Sequence, residues 1–551
     1  MLTFGSVVKR SRLWLPLIAL TALAGTFSTL ALPAVLGRAV DAVIGGAGSG
    51  PWLSRAAALI AVGVVVDVVD AFAAGACVAN TTAWLRERLV GHVLTLDARG
   101  AQRFEPGDLV SRVSSNAPDA AQAGPSVVLV ATALVPPVGS LVLLAVIDPW
   151  LAVAFLGGVG LVALVLVAFT RRTSRLLSGY QQIQGTLAGR LAESLAGART
   201  IAAAGTVDRE RRRILQPLPQ LHAQGLLTWR ALARAGAQAG IVGPLVLVVV
   251  LAAGGLALVA GRITAGELFA AGQYAMLGAG LGTLTGVLSR VARARAGVRR
   301  LGEVLAIAPR TYGDADLPPG VGALRFRGVT VRDGERALLD GVDLAVPGGT
   351  SVAVVGRSGA GKSVLAALSC RLHEPDDGTV LLDGVPLPRL RHDVLRAAIG
   401  CAFERPVLVG ATVGDAIGLG RGMQRVEAAA RATQAHDFVS RLPEGYATPL
   451  PRAPMSGGEA QRLGLSRAWP AQRLLVLDDA TSSLDVVTEM RVHRALDEGR
   501  DRRTRLIVTH RASIAARADT VVWLDAGRVR AVGPHRSLWD DPAYREVFGE
   551  T

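Results

Sequence analysis

The residues best placed to do chemistry are Gly356-Arg357-Ser358-Gly359-Ala360-Gly361-Lys362-Ser363. They match in full a glycine-rich pattern that cradles polyphosphates. Its backbone N–H groups wrap the phosphates, and the dipole of the helix that follows adds positive charge. Lys362 would reach the β- and γ-phosphates, and the Ser363 hydroxyl would ligate magnesium. About 115 residues further on, Arg473-Leu-Leu-Val-Leu-Asp478-Asp479 is an apolar run ending in two carboxylates. Asp478 would hold magnesium through water, and Asp479 occupies a general-base position. Apolar strands ending in acids are common, but paired with the upstream loop this one marks a nucleoside triphosphate site. ATP and Mg2+ are the cofactors it implies.

Such a site needs a scaffold of alternating strands and helices, and from Leu324 onward the sequence supplies one. Short apolar strands at 351–355, 474–477, 506–508 and 520–524 alternate with helical segments. That order predicts a largely parallel sheet covered by helices. The rest of the chain is different in kind. Half of the 551 residues are hydrophobic, only 19% are charged and the mean hydropathy is +0.39, values that direct the search to membrane spans. Six apolar stretches of about 20 residues fall near 14–36, 59–79, 127–147, 150–170, 241–260 and 269–288. Asp67 and Asp70 interrupt the second. Carboxylates at membrane depth face a cavity or the bundle interior, so they mark either a substrate or proton pathway or a polar contact between helices.

The link between spans four and five is about 70 residues and that between two and three nearly 50. Both are rich in Ala, Leu, Arg and Gln. Two helical arms of ~30 residues would each reach roughly 45 Å into the cytoplasm. A Pro/Gly/Asp-rich passage, 308–322, then leads to the second domain. The expected organisation is a membrane domain over 1–307, a linker over 308–321 and an ATPase domain over 322–551.

The net charge of +15 does not mark a nucleic-acid binder, because the arginines flank apolar runs and no basic patch is interleaved with aromatics. Lys9, Arg10 and Arg12 precede span one; Arg86, Arg88, Arg99, Arg103 and Arg112 follow span two. Arg171, Arg172, Arg175, Arg209, Arg211, Arg212 and Arg213 follow span four, and Arg290, Arg293 and Arg295 follow span six. The links after spans three and five are short, with Asp148-Pro149 in one and Arg262 in the other. Both termini are therefore expected in the cytoplasm, with span one an uncleaved anchor rather than a signal peptide. Lys9 and Lys362 are the only lysines, an Arg excess that fits codon bias in a GC-rich genome. Three scattered cysteines, Cys77, Cys370 and Cys401, exclude a disulfide scaffold and a zinc site.

Other stretches carry a family resemblance. Met455-Ser456-Gly457-Gly458-Glu459, continuing to Ala468, resembles the signature motif of ABC ATPases. Ala480 to Asp485 resembles the family's D-loop, and His510, after an apolar strand, its switch histidine. Phe104 to Arg112, and Glu193 to Ile201 with Gly197, Arg199 and Thr200, are similar to stretches of ABC exporter halves. The resemblance covers nearly the whole chain. It implies an all-α membrane domain of six transmembrane helices with long cytoplasmic extensions, followed by an α/β P-loop ATPase domain. It also implies that two such halves sandwich ATP between the P-loop of one and the signature of the other. Ser456, Gly457, Gly458 and Glu459 would then serve a nucleotide held by another chain, with Asp479 and His510 as the catalytic pair. The first span begins near residue 14, leaving no room for an N-terminal peptidase domain.

Four positions depart from the family pattern. Asp479 stands in place of Glu, and Glu404 in place of a magnesium-contacting Gln. Asp333 falls where an adenine-stacking aromatic is expected, and residues 448–454 lack a Gly-Glu cross-talk segment. Two readings follow: drift in a working homodimer, or a heterodimer of unlike halves in which this chain's own site hydrolyses weakly. The expected function is ATP-driven export of a small molecule or peptide across a bacterial cytoplasmic membrane. A regulatory half that gates a competent partner is the alternative. A non-transporting ABC ATPase is disfavoured by the six spans.

Overall fold

A computed structural model describes the backbone of all residues except 1, 47, 98, 101–102, 280–281, 499–502 and 550–551. Side chains are described outside these positions and outside 159, 161–179, 181–182, 231–232, 234–236, 238–242, 282–285 and 498. The chain divides into two compact units, one of residues 1–94 with 105–307 and the other of 95–104 with 308–551.

The first unit is helical. Leu15–Ile44, Gly50–Thr95 and Pro106–Ile147 are each long and apolar enough to cross a membrane. The third is broken by a π turn at Arg112–Asn116, where Arg112 is buried and pairs with Asp108 and Glu303. Two further helices form long rods, Pro149–Ala196 of 48 residues and Leu218–Val259 of 42, joined through the short helices Ala198–Ala203 and Val207–Leu215. At 1.5 Å per residue they extend roughly 70 and 60 Å, longer than a bilayer core. Their described apolar parts are Pro149–Gly158 and Gly243–Val259. The rest of expected span four lies among residues whose side chains are not described. Expected span six, 269–288, runs along helices Ala265–Gly278 and Gly282–Leu305 and crosses 280–281, outside the described residues.

Local chemistry sets the helix ends. Asp148 caps Pro149–Ala196 by accepting the Trp150 N–H at 2.8 Å, with proline at the first helical position, where no N–H is needed. The Arg262 guanidinium meets the same carboxylate at 3.0 Å, clasping the two short links together. Asp41 accepts the Thr264 hydroxyl and the Gly266 N–H, both at 2.7 Å, and so fixes the start of Ala265–Gly278 against helix Leu15–Ile44. Asp70 accepts the Thr21 hydroxyl at 2.7 Å, a polar contact between helices. Asp67 and Asp70 also line a cavity of about 360 Å3 with Thr21, Thr26 and Thr29. The polar contact between helices is thus made by Asp70, and both carboxylates face a cavity.

The second unit holds two sheets. One has six strands in the order β10-β9-β3-β8-β7-β6, where β3 is Ser351–Val355, β6 Ile399–Phe403, β7 Leu474–Asp478, β8 Thr504–Val508, β9 Thr520–Asp525 and β10 Arg528–Gly533. All neighbours are parallel except β10 with β9. β3 is buried along its whole length, as expected of a strand covered by helices on both faces. The other sheet, β2-β1-β4-β5, is antiparallel and joins β1 (Leu324–Asp333), β2 (Arg336–Val346), β4 (Asp377–Leu382) and β5 (Val385–Pro386).

Residues 308–321 lie against this unit. Arg310 donates to the Arg371 and Leu372 carbonyls, the Arg371 guanidinium sits over the Tyr312 ring, and Ala315 bridges to Leu390. Segment 95–104 is held as firmly. Arg99 grips Asp376 with two bonds of 2.8 and 3.2 Å and donates to the Arg332 carbonyl at 2.7 Å.

Candidate functional site

β3 runs straight into the glycine-rich loop, and the loop into helix Lys362–Ser369. The turn depends on Gly361, whose φ of 97° lies in the left-handed region. A β-carbon there would fall 2.7 Å from the Leu338 carbonyl oxygen. Lys362 folds back over the loop and donates to the carbonyls of Gly356 at 2.7 Å and Arg357 at 3.0 Å. Burial pushes its ammonium below the ordinary value, against the pull of Asp479 and Asp478. Ala360 is buried and its N–H returns to the Arg357 carbonyl, while Ser358 and Gly359 are exposed at the mouth. The Arg357 side chain reaches Glu546 at 2.7 Å.

β7 lies beside β8, which in turn flanks β3, so the acids at the end of β7 arrive next to the loop. Ser363 donates to Asp478 Oδ1 at 3.1 Å. Burial pushes the Asp478 carboxyl up, and the charges of Asp479 and Glu404 push it further. A half-buried acid crowded by two others and touching a hydroxyl is suited to a small hard cation. Among the described residues no three His, Cys, Asp or Glu side chains form a metal cage. One carboxylate beside one hydroxyl fits Mg2+, which keeps its waters and takes substrate phosphates as ligands. Ser363 and Asp478 would hold the ion, with Glu404 adding charge.

Asp479 and His510 are brought together by the loops after β7 and β8. The Asp479 N–H donates to the Val508 carbonyl at 3.2 Å, and His510 Nδ1 stands 3.1 Å from Asp479 Oδ1. Asp479 itself has φ 46°, rare for a residue with a side chain and a form of strain that collects at functional sites. Behind the pair, Arg511 donates to Glu489 at 2.6 Å and to the Ser482 carbonyl at 2.9 Å, and Thr481 donates to Glu489 at 2.8 Å. This buried network fixes the turn that carries His510.

Ser456 caps helix Gly457–Ala468. Its hydroxyl accepts the Glu459 N–H at 3.3 Å while Glu459 accepts the Ser456 N–H at 2.8 Å, a reciprocal capping box. A β-carbon on Gly458 would come within 2.8 Å of the Ser483 carbonyl oxygen, whereas one on Gly457 would meet nothing within 4 Å. The helix start is thus packed on one side and open on the other. No hydrogen bond or ion pair joins Ser456–Glu459 to the glycine-rich loop among the described residues. The loop and the capped helix start are thus two separate ends.

Sequence reasoning missed Gln461. It is buried, donates to the Glu404 carbonyl at 2.7 Å and the Ser482 hydroxyl at 3.0 Å, and accepts the Ser483 N–H at 2.9 Å. One amide thereby staples the capped helix to the Glu404 loop and to residues 482–483. A polar residue two places beyond the capping Glu was the available signal, but its burial was not readable.

Comparison with known proteins covers both units. Residues 15–279 match the family model described as ABC transporter transmembrane region, and residues 339–482 match that described as ABC transporter. The chain is 47% identical over 538 residues to the ABC transporter ATP-binding protein RamA of Streptomyces coelicolor, covering 97% of this chain and 85% of that one. It is 31% identical over 484 residues to an ATP-dependent lipid A-core flippase of Alkalilimnicola ehrlichii, with 84% and 82% covered. A bacterial Atm1-family ABC exporter with ATP bound superposes with a TM-score of 0.78 at 26% identity over 98% of both chains. Helical membrane unit, α/β unit and the match over nearly all of a relative's length agree, and the chain belongs to the ABC transporter family as an exporter half with one membrane domain and one ATP-binding domain.

Proposed function

We propose that this chain is the weakly hydrolysing half of a heterodimeric exporter that moves a small molecule or peptide across a bacterial cytoplasmic membrane. The coarser part follows from the family: ATP binding and hydrolysis drive transport, and the half works with a second half. The proposal adds an unlike partner, cytoplasmic termini and unequal sites, with the membrane domain spanning 1–307 and the ATPase domain 322–551.

ATP would lie along Gly356–Ser363, with the loop N–H groups and Lys362 on its phosphates. Bound magnesium would supply positive charge against the phosphates. Ser363 and Asp478 hold it, and Glu404 lies near. Hydrolysis needs a base to take a proton from the attacking water, and Asp479 is the residue in that position. Ser456, Gly457 and Gly458 would donate to the γ-phosphate bound by the partner, with Glu459 keeping the helix start in shape.

The observation that carries the reading is the Asp479–His510 contact of 3.1 Å. Against a glutamate, aspartate retracts its carboxylate by roughly 1–1.5 Å. A base must come within about 3 Å of the water. A carboxylate that is both shorter and already engaged by His510 is poorly placed for that task. The signature end, by contrast, keeps its capping box and its open face at Gly457.

The test is magnesium-dependent ATPase activity of the purified chain alone in lipid nanodiscs, with Lys362→Ala as control. Tight ATP binding with negligible turnover supports the reading. Robust turnover abolished by Lys362→Ala overturns it in favour of a homodimer.

A further inference from the structure

One cation beside the glycine-rich loop has no task in the site described so far. β1 and β2 are joined by the two-residue turn Gly334-Glu335, with Asp333 paired to Arg336 and Gly334 at φ 60°. Glycine at the first turn position suits a hairpin turn that matches strand twist. Just past the turn β2 is pressed onto the loop, because the Leu338 carbonyl and the Leu339 side chain leave no space for a β-carbon on Gly361. The hairpin is thus located by backbone contact with the nucleotide loop.

From that fixed strand Arg336 extends along the loop mouth. One of its guanidinium nitrogens lies 3.8 Å from where a β-carbon on Gly359 would stand. Arg336 is exposed, and its side chain has no hydrogen bond or ion pair among the described residues. The other cations of the loop are engaged, Arg357 by Glu546 and Lys362 by two carbonyls.

We propose that Arg336 is a phosphate-contacting residue of the nucleotide site, gripping the polyphosphate tail so that the tail, rather than the base, supplies most of the recognition. This rests on the reading of Gly356–Ser363 as the nucleotide loop. A planar guanidinium presents a fork of donors that matches phosphate oxygens, and it stays charged at every working pH. Its position beside Gly359 places that fork at the mouth of the loop. At the end of β1 the same hairpin offers Asp333, which has no ring for a base to stack on. Discrimination between adenine and guanine is correspondingly small.

The experiment uses the full chain in nanodiscs with magnesium. Trinitrophenyl-ATP is displaced by ATP, by GTP and by inorganic tripolyphosphate. Arg336→Ala is expected to weaken all three about tenfold, the size of one charge-assisted contact. Arg336→Lys should recover most of the loss, and the deficit should shrink as salt is raised. ATP and GTP should compete within about threefold of each other. Unchanged affinity in Arg336→Ala overturns the proposal. So does a loss confined to ATP and GTP with tripolyphosphate unaffected, which would assign Arg336 to the base, and so does a preference for ATP over GTP beyond about tenfold. If Lys362→Ala leaves displacement unchanged, the loop reading itself fails, whatever Arg336 does.

Discussion

Asp479 and Gly457 allow the sharpest tests, because at each one atom more or less has a defined consequence. Asp479→Glu restores the missing methylene and should raise turnover at the chain's own site by about tenfold or more, an effect of at least ~1.4 kcal/mol on the barrier. Phosphate release by the purified chain measures it, and no gain would mean that the native carboxylate is not what limits the site. Gly457→Ala meets open space, so its melting temperature should match the parent, yet the added methyl would occupy the face proposed to meet the partner's nucleotide. Turnover of the assembled complex should fall about tenfold. Gly458→Ala must displace the Ser483 carbonyl and should instead cost ~1–3 kcal/mol in stability, read as a lower melting point. At this scale the sequence was legible wherever a local arrangement resides in contiguous residues, as in the strand–loop–helix of Gly356–Ser363 or the capped helix start of Ser456–Glu459. Gln461 and Arg336 escaped because their roles arise from what packs beside them. No spacing rule brings Arg336 to Gly359.

Elements carry their own consequences. Ser456→Ala removes the capping oxygen and one half of the box, so it should destabilise helix Gly457–Ala468 by ~0.5–2 kcal/mol, measurable by denaturant titration. The Arg99–Asp376 clamp should show a defined pH response. Arg99 beside it, and the Arg332 N–H, hold the Asp376 carboxyl below the usual carboxylate range. Its contribution is therefore complete above an ordinary aspartate pKa, about 4, and is lost as pH falls through the lower folded value. Melting curves of the parent and Asp376→Asn should stay separated by a constant gap from pH 7 to about 4 and converge below it. A gap that closes by pH 6 would show that Asp376 is not what the substitution reports. The parallel strands were readable because β3 and β7 are unbroken apolar runs. The antiparallel sheet was not, although β1 alternates in its first residues. Gly328 at φ 55° sits where the register slips between Phe326 and Val329, and that bulge breaks the period of two on which strand recognition depends.

For the whole molecule, the distribution of arginine predicts a topology that fusions can check. Alkaline phosphatase joined after Gly46 should be active, and joined after Thr551 inactive, if the first link is outside and the C-terminus inside. The reverse pattern would overturn the orientation. Composition made the membrane unit legible, since apolar length needs no tertiary knowledge. Partner choice was not legible, because it depends on complementarity with a surface that this sequence does not contain. Copurification provides the direct check: a complex with one copy of this chain and one of an unlike half supports the asymmetric reading, and a stable active homodimer counts against it.

Segment 95–104 is made early and finds its place late. Arg99 and Asp376 are separated by 277 residues, and every helix of the first unit after Gly50–Thr95 lies between them. At ~5–20 residues per second the ribosome needs roughly 15–55 s to bring Asp376 into existence after Arg99. Through that interval the guanidinium has no carboxylate to meet, and membrane insertion proceeds with this piece of the second unit waiting. The second unit is therefore discontinuous in the gene, and a fragment beginning at residue 308 would lack the chain that braces Asp376 and the end of β1. Nascent chains arrested before Asp376 should leave residues 95–104 open to protease, and chains released at full length should protect them.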